Sequence, residues 1–186
     1  IREFPTEYKT YYSIKEFTFN KIKQPNRNRL LWVDKAVDGM KTGFTDNAGY
    51  CLVASAKRDE RRLISVVLGA DSDKARAAES LKLLNFGFQN FETKALYAKE
   101  ENVSAIKIWK GAASSVKSGF NHDFALAIPA GQKDKIKTEI IAEPRLMAPI
   151  AKGQMVGTLR VTLEGANLGD FPIVALEEIG LAGFFG

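Results

Sequence analysis

Lys41, Thr42 and Gly43 stand in a row, and three such residues can do chemistry together. The lysine brings a positive charge and the threonine a hydroxyl. The glycine lets a ligand approach the backbone closely. Lys-Thr-Gly is a tripeptide that lines one wall of active sites recognising penicillin-like substrates. Alone it carries little weight, because roughly a few per cent of chains this long contain it by chance.

The elements around the tripeptide add to it. Gly49 to Ala56 and Arg62 to Ala70 are apolar runs of strand length, separated by the polar turn Lys57-Arg58-Asp59-Glu60-Arg61. The pattern predicts three consecutive strands, the last two a hairpin. On a strand, Lys41 and Gly43 face one way and Thr42 the other. Residues 63 to 70 have Ser65 as their only polar side chain, which predicts cover on both faces. Asp71, Ser72 and Asp73 suit a helix start. Ala77, Ala78, Leu81, Leu84, Phe88 and Phe91 then follow helical spacing, which predicts a helix of about five turns packing on the sheet. Arg76 falls in its first turn, against the helix dipole. That misfit suits a functional role, and a solvated arginine is the plain alternative.

Residues 92 to 186 change character. Val103 to Trp109, Phe124 to Ile128, Lys135 to Ile141, Met155 to Leu163 and Phe171 to Leu176 are short strand-like runs, with turn signals at 129–131, 151–153 and 165–167. This predicts a small all-β sandwich, with the domain boundary near Glu92. Upstream, Glu16 to Asn20 alternates like a short exposed strand, and Pro25 opens a turn rich in Asn and Arg. Asn26 and Asn28 suit positions where a side chain bonds to nearby backbone.

Bulk properties narrow the classes. The chain has 186 residues, 45% hydrophobic and 26% charged, ordinary for a globular protein of one or two small domains. Residues 1 to 91 hold 16 Lys/Arg against 11 Asp/Glu, a net +5; residues 92 to 186 hold 11 of each. A positive field in the Lys-Thr-Gly half would favour an anionic substrate; a scattered solvated surface is the other reading. No basic run with interleaved aromatics points to nucleic acid. Cys51 is the one cysteine, so no internal disulfide or zinc site follows, and it reads as a buried structural thiol. His122, the one histidine, reads as a surface residue, with too few ligands around it for a metal site. These residues carry no signal-peptide pattern, and no apolar stretch among them reaches the ~18 residues of a membrane-spanning helix.

Taken together, Asn26 to Trp32, Val37 to Thr45, Ala48-Gly49-Tyr50, Leu52 to Ala56, Arg76 with Ala78-Glu79-Ser80, Val156-Gly157-Thr158 and Phe184-Phe185-Gly186 resemble the serine-type D-alanyl-D-alanine carboxypeptidases. These are the low-molecular-mass penicillin-binding proteins of the bacterial envelope. The resemblance spans nearly the whole chain. It implies an α+β fold. Residues 1–91 would be the C-terminal part of a β-lactamase/transpeptidase-like domain, an antiparallel sheet with a packing helix, and residues 92–186 an all-β domain. It also places the Asn/Arg turn near the active site. Support for the next strand is the alternative role for Asn26 and Asn28.

In such a family a Ser-x-x-Lys motif supplies nucleophile and base, and a Ser-x-Asn motif supports them, both upstream of Lys-Thr-Gly. Neither precedes Lys41 here. Ser104-Ala105-Ile106-Lys107 lies in a strand pattern, where positions i and i+3 point to opposite faces, and Ser114-Ser115-Val116-Lys117 lies in a turn-like stretch; both are set aside. The expectation is a portion of a longer protein, inactive by itself. Its missing N-terminal segment would carry a signal peptide and the serine.

By resemblance, Lys41 helps hold substrate and tune the catalytic serine and lysine. Thr42 bonds the substrate's terminal carboxylate, Gly43 leaves room for its backbone, the Phe44 backbone N–H is one oxyanion-hole donor, and Arg76 assists with the carboxylate. Several relatives carry histidine where Phe44 stands; the backbone donor survives that change and a titratable side chain does not. The implied reaction removes the terminal D-alanine from the peptidoglycan pentapeptide through an acyl-serine, with β-lactam antibiotics acylating the same serine and no cofactor or metal. The implied location is the periplasm, at the outer face of the inner membrane, with a C-terminal amphipathic helix on the membrane surface that is expected to begin about where this chain stops, and so to be absent from it. The competing readings are a non-catalytic envelope binding module and a β-lactamase.

Overall fold

The computed structural model describes residues 1–183; the Phe184-Phe185-Gly186 match lies outside the described residues. The chain divides into two compact units, Ile1–Phe91 and Glu92–Gly186.

The first unit opens with α1 (Pro5–Tyr11), a helix that the sequence reading did not expect. Pro5 stands in its first turn, where a missing N–H costs nothing and the fixed φ suits a helix. β1 (Glu16–Phe19) and β2 (Ile22–Pro25) form a hairpin. Asn20 and Lys21 both take positive φ, the two-residue turn whose twist matches that of the strands. After a single turn, α2 (Leu30–Val33), come β3 (Val37–Thr45), β4 (Gly49–Arg58) and β5 (Arg61–Ala70). They form one antiparallel sheet in the order β3-β4-β5. The β4–β5 turn is tighter than predicted, with only Asp59 and Glu60 between the strands.

α3 (Asp73–Asn90) follows. Ser72 caps it, its hydroxyl accepting from the Ala75 N–H at 3.0 Å. Leu84, 1% exposed, packs with Leu52, Ala54 and Ala56 of β4 and with Leu30, Leu31 and Val37. This covers one face of the sheet. The other face differs from the prediction. Ile64, Val66 and Leu68 are exposed, Leu68 to 72%, because α3 lies on one side only and they point to the other.

In the second unit, β7 (Ser104–Lys107), β8 (Ser115–Gly119), β10 (Ile136–Ala142), β11 (Met155–Leu163) and β12 (Ala166–Ala175) form a five-stranded sheet ordered β10-β11-β12-β8-β7. β6 (Phe91–Tyr97) and β9 (Phe124–Pro129) form a second, two-stranded sheet. Ile106, Val116, Val156, Leu159, Val161 and Ile173 from the larger sheet share a core with Phe124 of β9 and Phe120. Phe120 and Phe124 stack at 4.2 Å. Glu164 and Gly165, both at positive φ, make the two-residue turn between β11 and β12. Residues 115–119 are strand rather than turn; Lys117 of the second Ser-x-x-Lys match sits there, 3.7 Å from Glu177. His122 is exposed, its Nδ1 2.7 Å from the Asn121 side-chain oxygen.

Candidate active site

β3 is the edge of its sheet, bonded to β4 alone among the described strands. Along it runs a cleft of about 1130 Å³ lined by Met40, Lys41, Thr42, Gly43, Phe44 and Arg76, together with Tyr11, Tyr12, Gln24 to Arg27, Arg29, Trp32, Tyr50 and Asp73. All five residues singled out from the sequence therefore meet at one cavity. An edge strand offers unpaired backbone donors and acceptors, so a ligand can lie along it as an added strand. Lys41 is exposed, its ammonium donating to the Thr42 carbonyl. Gly43 stands opposite Cys51, and a Cβ at Gly43 would meet the Cys51 Cβ at 3.7 Å, an ordinary contact. Gly43 is thus not required by crowding within the chain.

Arg76 is not the solvated arginine of the plain reading. It is 4% exposed. Its Nη1 donates to the Gly43 carbonyl at 3.0 Å and the Cys51 carbonyl at 3.4 Å, and its Nη2 donates to Asp73. The guanidinium lies 5.4 Å from the Tyr50 ring centre, and Tyr50 in turn packs on Phe44 at 4.4 Å. Asp73 also pairs with Arg29. One carboxylate thus bridges two arginines beside the Lys-Thr-Gly strand. The Asn/Arg turn is fastened to the same strand. Asn28, buried, donates to the Gly39 carbonyl at 3.0 Å, and its Oδ1 accepts from Leu30 N–H at 3.2 Å. Asn26 lines the cleft, donates to the Ile14 carbonyl at 2.9 Å and accepts from Asn28 N–H at 2.9 Å. Both asparagines therefore bond backbone, as turn chemistry predicts.

Sequence reasoning did not single out Asp73 as a site residue, nor Tyr11 and Tyr12. Asp73 passed as a helix starter, and the tyrosines lie in a stretch without clear periodicity.

A family model described as D-alanyl-D-alanine carboxypeptidase matches residues 1–72. A second, described as penicillin-binding protein 5, C-terminal domain, matches residues 91–180. Each unit of the chain thus matches a model drawn from the D-alanyl-D-alanine carboxypeptidases and penicillin-binding proteins, and the chain is similar to such proteins along its whole length. It is 46% identical over 188 residues to the carboxypeptidase DacC of Escherichia coli, covering all of this chain and 47% of the relative. It is 48% identical over 191 residues to DacA of Haemophilus influenzae, covering all of this chain and 48% of the relative. Among solved structures, penicillin-binding protein 5 from Haemophilus influenzae superposes with a TM-score of 0.88 at 44% identity, over 96% of this chain and 53% of the other. The chain spans about half the length of these family members.

Proposed function

We propose that residues 1–91 supply the Lys-Thr-Gly side of a serine D-alanyl-D-alanine carboxypeptidase and that residues 92–186 are its non-catalytic β domain. The observation that carries this reading is the edge strand β3, lying open along a cleft with Lys41, Thr42, Gly43 and Phe44 in sequence and a buried arginine behind them. The substrate is the pentapeptide stem of peptidoglycan, and the place of action is the bacterial envelope, in the periplasm. β-Lactams are the expected inhibitors.

In this reading the peptide lies along β3. Lys41 supplies a cation next to the reacting groups, and Thr42 donates its hydroxyl to the terminal carboxylate. The backbone N–H of Phe44 points charge-stabilising donor capacity at the developing oxyanion. Arg76 holds the Gly43 carbonyl and adds positive potential. A substrate carboxylate that reaches its fork does so in competition with Asp73. No residue here serves as the nucleophile, so the acyl-serine forms on a segment of the longer protein. The uncovered face of β5, with Ile64, Val66 and Leu68, supports packing against that segment.

The test is labelling of the full-length protein with a fluorescent penicillin, alongside its Lys41→Ala variant. Covalent label on a serine upstream of residue 1, lost or slowed by orders of magnitude in Lys41→Ala, is the expected result. No label on a folded protein would point to a non-catalytic envelope module. Rapid turnover of a chromogenic cephalosporin would point to a β-lactamase.

A further inference from the structure

Four side chains from four elements converge behind the start of β3. Arg62 of β5 donates from Nη1 and Nη2 to the two carboxylate oxygens of Asp38, both at 2.7 Å. On the way it crosses β4, where Nη1 also donates to the Ser55 hydroxyl at 2.6 Å. The Tyr8 hydroxyl of α1 donates to Asp38 Oδ1 at 2.8 Å. The guanidinium lies 5.4 Å from the Tyr8 ring centre, and Tyr8 and Ser55 are buried. Gly39 is closed over by this cluster: a Cβ there would come within 2.5 Å of the Tyr8 hydroxyl oxygen.

The cluster lies at the junction of two walls of the cleft. Asp38 is three residues before Lys41 on the strand that forms one wall. Tyr8 is one turn before Tyr11 and Tyr12, which line the cleft from α1, and the Tyr8 and Tyr12 rings stack at 5.1 Å. Apolar packing tolerates sliding, whereas a bidentate arginine–carboxylate pair fixes distance and orientation together. We propose that Tyr8, Asp38 and Arg62 are positioning residues of the site, setting the register of the tyrosine wall against the Lys-Thr-Gly wall and thereby which acyl side chains the cleft accepts. The charges support it. Burial pushes the Tyr8 phenol up to about 12, so it stays a donor at neutral pH. Burial would raise the Asp38 carboxyl, but hydrogen bonds from Arg62 and Tyr8 outweigh it and hold it below the ordinary carboxylate range.

This inference rests on the carboxypeptidase reading, and its test keeps the two apart. Tyr8→Phe removes only the hydroxyl and leaves the ring over Gly39. Arg62→Lys keeps the charge and loses the fork. Both variants are made in the full-length protein. Acylation rate constants are measured for two penicillins, one with a small and one with a bulky acyl side chain, and amide hydrogen exchange is followed across residues 8–12 and 40–44. The expected result is a loss of about three- to tenfold in acylation, the rate equivalent of one lost hydrogen bond. That loss should be unequal between the two penicillins, with faster exchange confined to those two segments and the global melting temperature little changed. Equal losses for both penicillins, wild-type acylation rates in Arg62→Lys, or unchanged exchange in the two segments would each overturn the proposal. A wild-type protein that does not acylate at all would sink the carboxypeptidase reading instead, and the exchange measurement would still decide whether the cluster fixes the two walls.

Discussion

Arg76 carries the strongest single-residue consequence. Its guanidinium donates to two part-buried carbonyls, those of Gly43 and Cys51, and pairs with Asp73. Arg76→Ala leaves those acceptors without this partner and is expected to lower stability by about 1–3 kcal/mol, read by urea denaturation. Arg76→Lys should recover only part of that loss, since an ammonium cannot span the same acceptors in the plane of the fork. A wild-type midpoint for Arg76→Ala would remove the residue from the architecture of the site. The Asp38–Tyr8 pair makes a second prediction, in pH. Asp38 is held below its ordinary value, so its contribution is full above about pH 4 and drains away as pH falls through the lower folded value. Tyr8 is raised from 10.0 to about 12, so its contribution is full below pH 10 and is lost as pH rises between those values. Melting temperatures across pH should therefore show an acid arm that Asp38→Asn flattens and an alkaline arm that Tyr8→Phe flattens. Identical profiles for wild type and variants would contradict both assignments.

At the level of elements, α3 and the strand pair β4–β5 act as one packed layer. Leu84 is almost wholly buried against Leu52 and Ala54, whereas Leu68 stands on the open face of β5. Leu84→Ala is expected to cost about 2–5 kcal/mol, and Leu68→Ala to stay within about 0.5 kcal/mol in this chain. Equal costs for the two would mean that the open face is covered in solution. The helix start is also testable. Ser72→Ala removes the acceptor for the Ala75 N–H and should cost about 1 kcal/mol. Because α3 carries Arg76 in its first turn, fraying at Ser72 should also loosen the grip on Gly43, visible as faster amide exchange at residues 43–44 than the global change explains.

At the level of the whole molecule, each unit holds its own core. The apolar cluster of the second unit draws on residues from 96 onward, and that of the first on residues from 30 to 88. Residues 92–186 expressed alone are expected to fold, with a β-type spectrum and a cooperative melt; a broad, non-cooperative transition would count against an independent domain. The first unit presents Ile64, Val66 and Leu68 to solvent and is expected to self-associate when expressed alone, which concentration-dependent sedimentation would detect.

Much of this was legible in the chain itself. Apolar runs around a polar turn marked the strands between Gly49 and Ala70, alternation marked Met155 to Leu163, and helical spacing after Asp71 marked α3, because run length, period and capping are local properties. Lys41, Thr42 and Gly43 were legible as a group for the same reason: they are adjacent. What the sequence could not say is which distant groups meet them. Asp73 lies 32 residues from Lys41, Arg62 lies 24 residues from Asp38, and Tyr8 lies 30 residues before it. Their pairing depends on strand order and on where α1 comes to rest, not on any spacing along the chain. Whether a face of β5 is covered is a tertiary fact too. An apolar strand states that cover would be favourable, and only the placement of α3 decides that one side receives it.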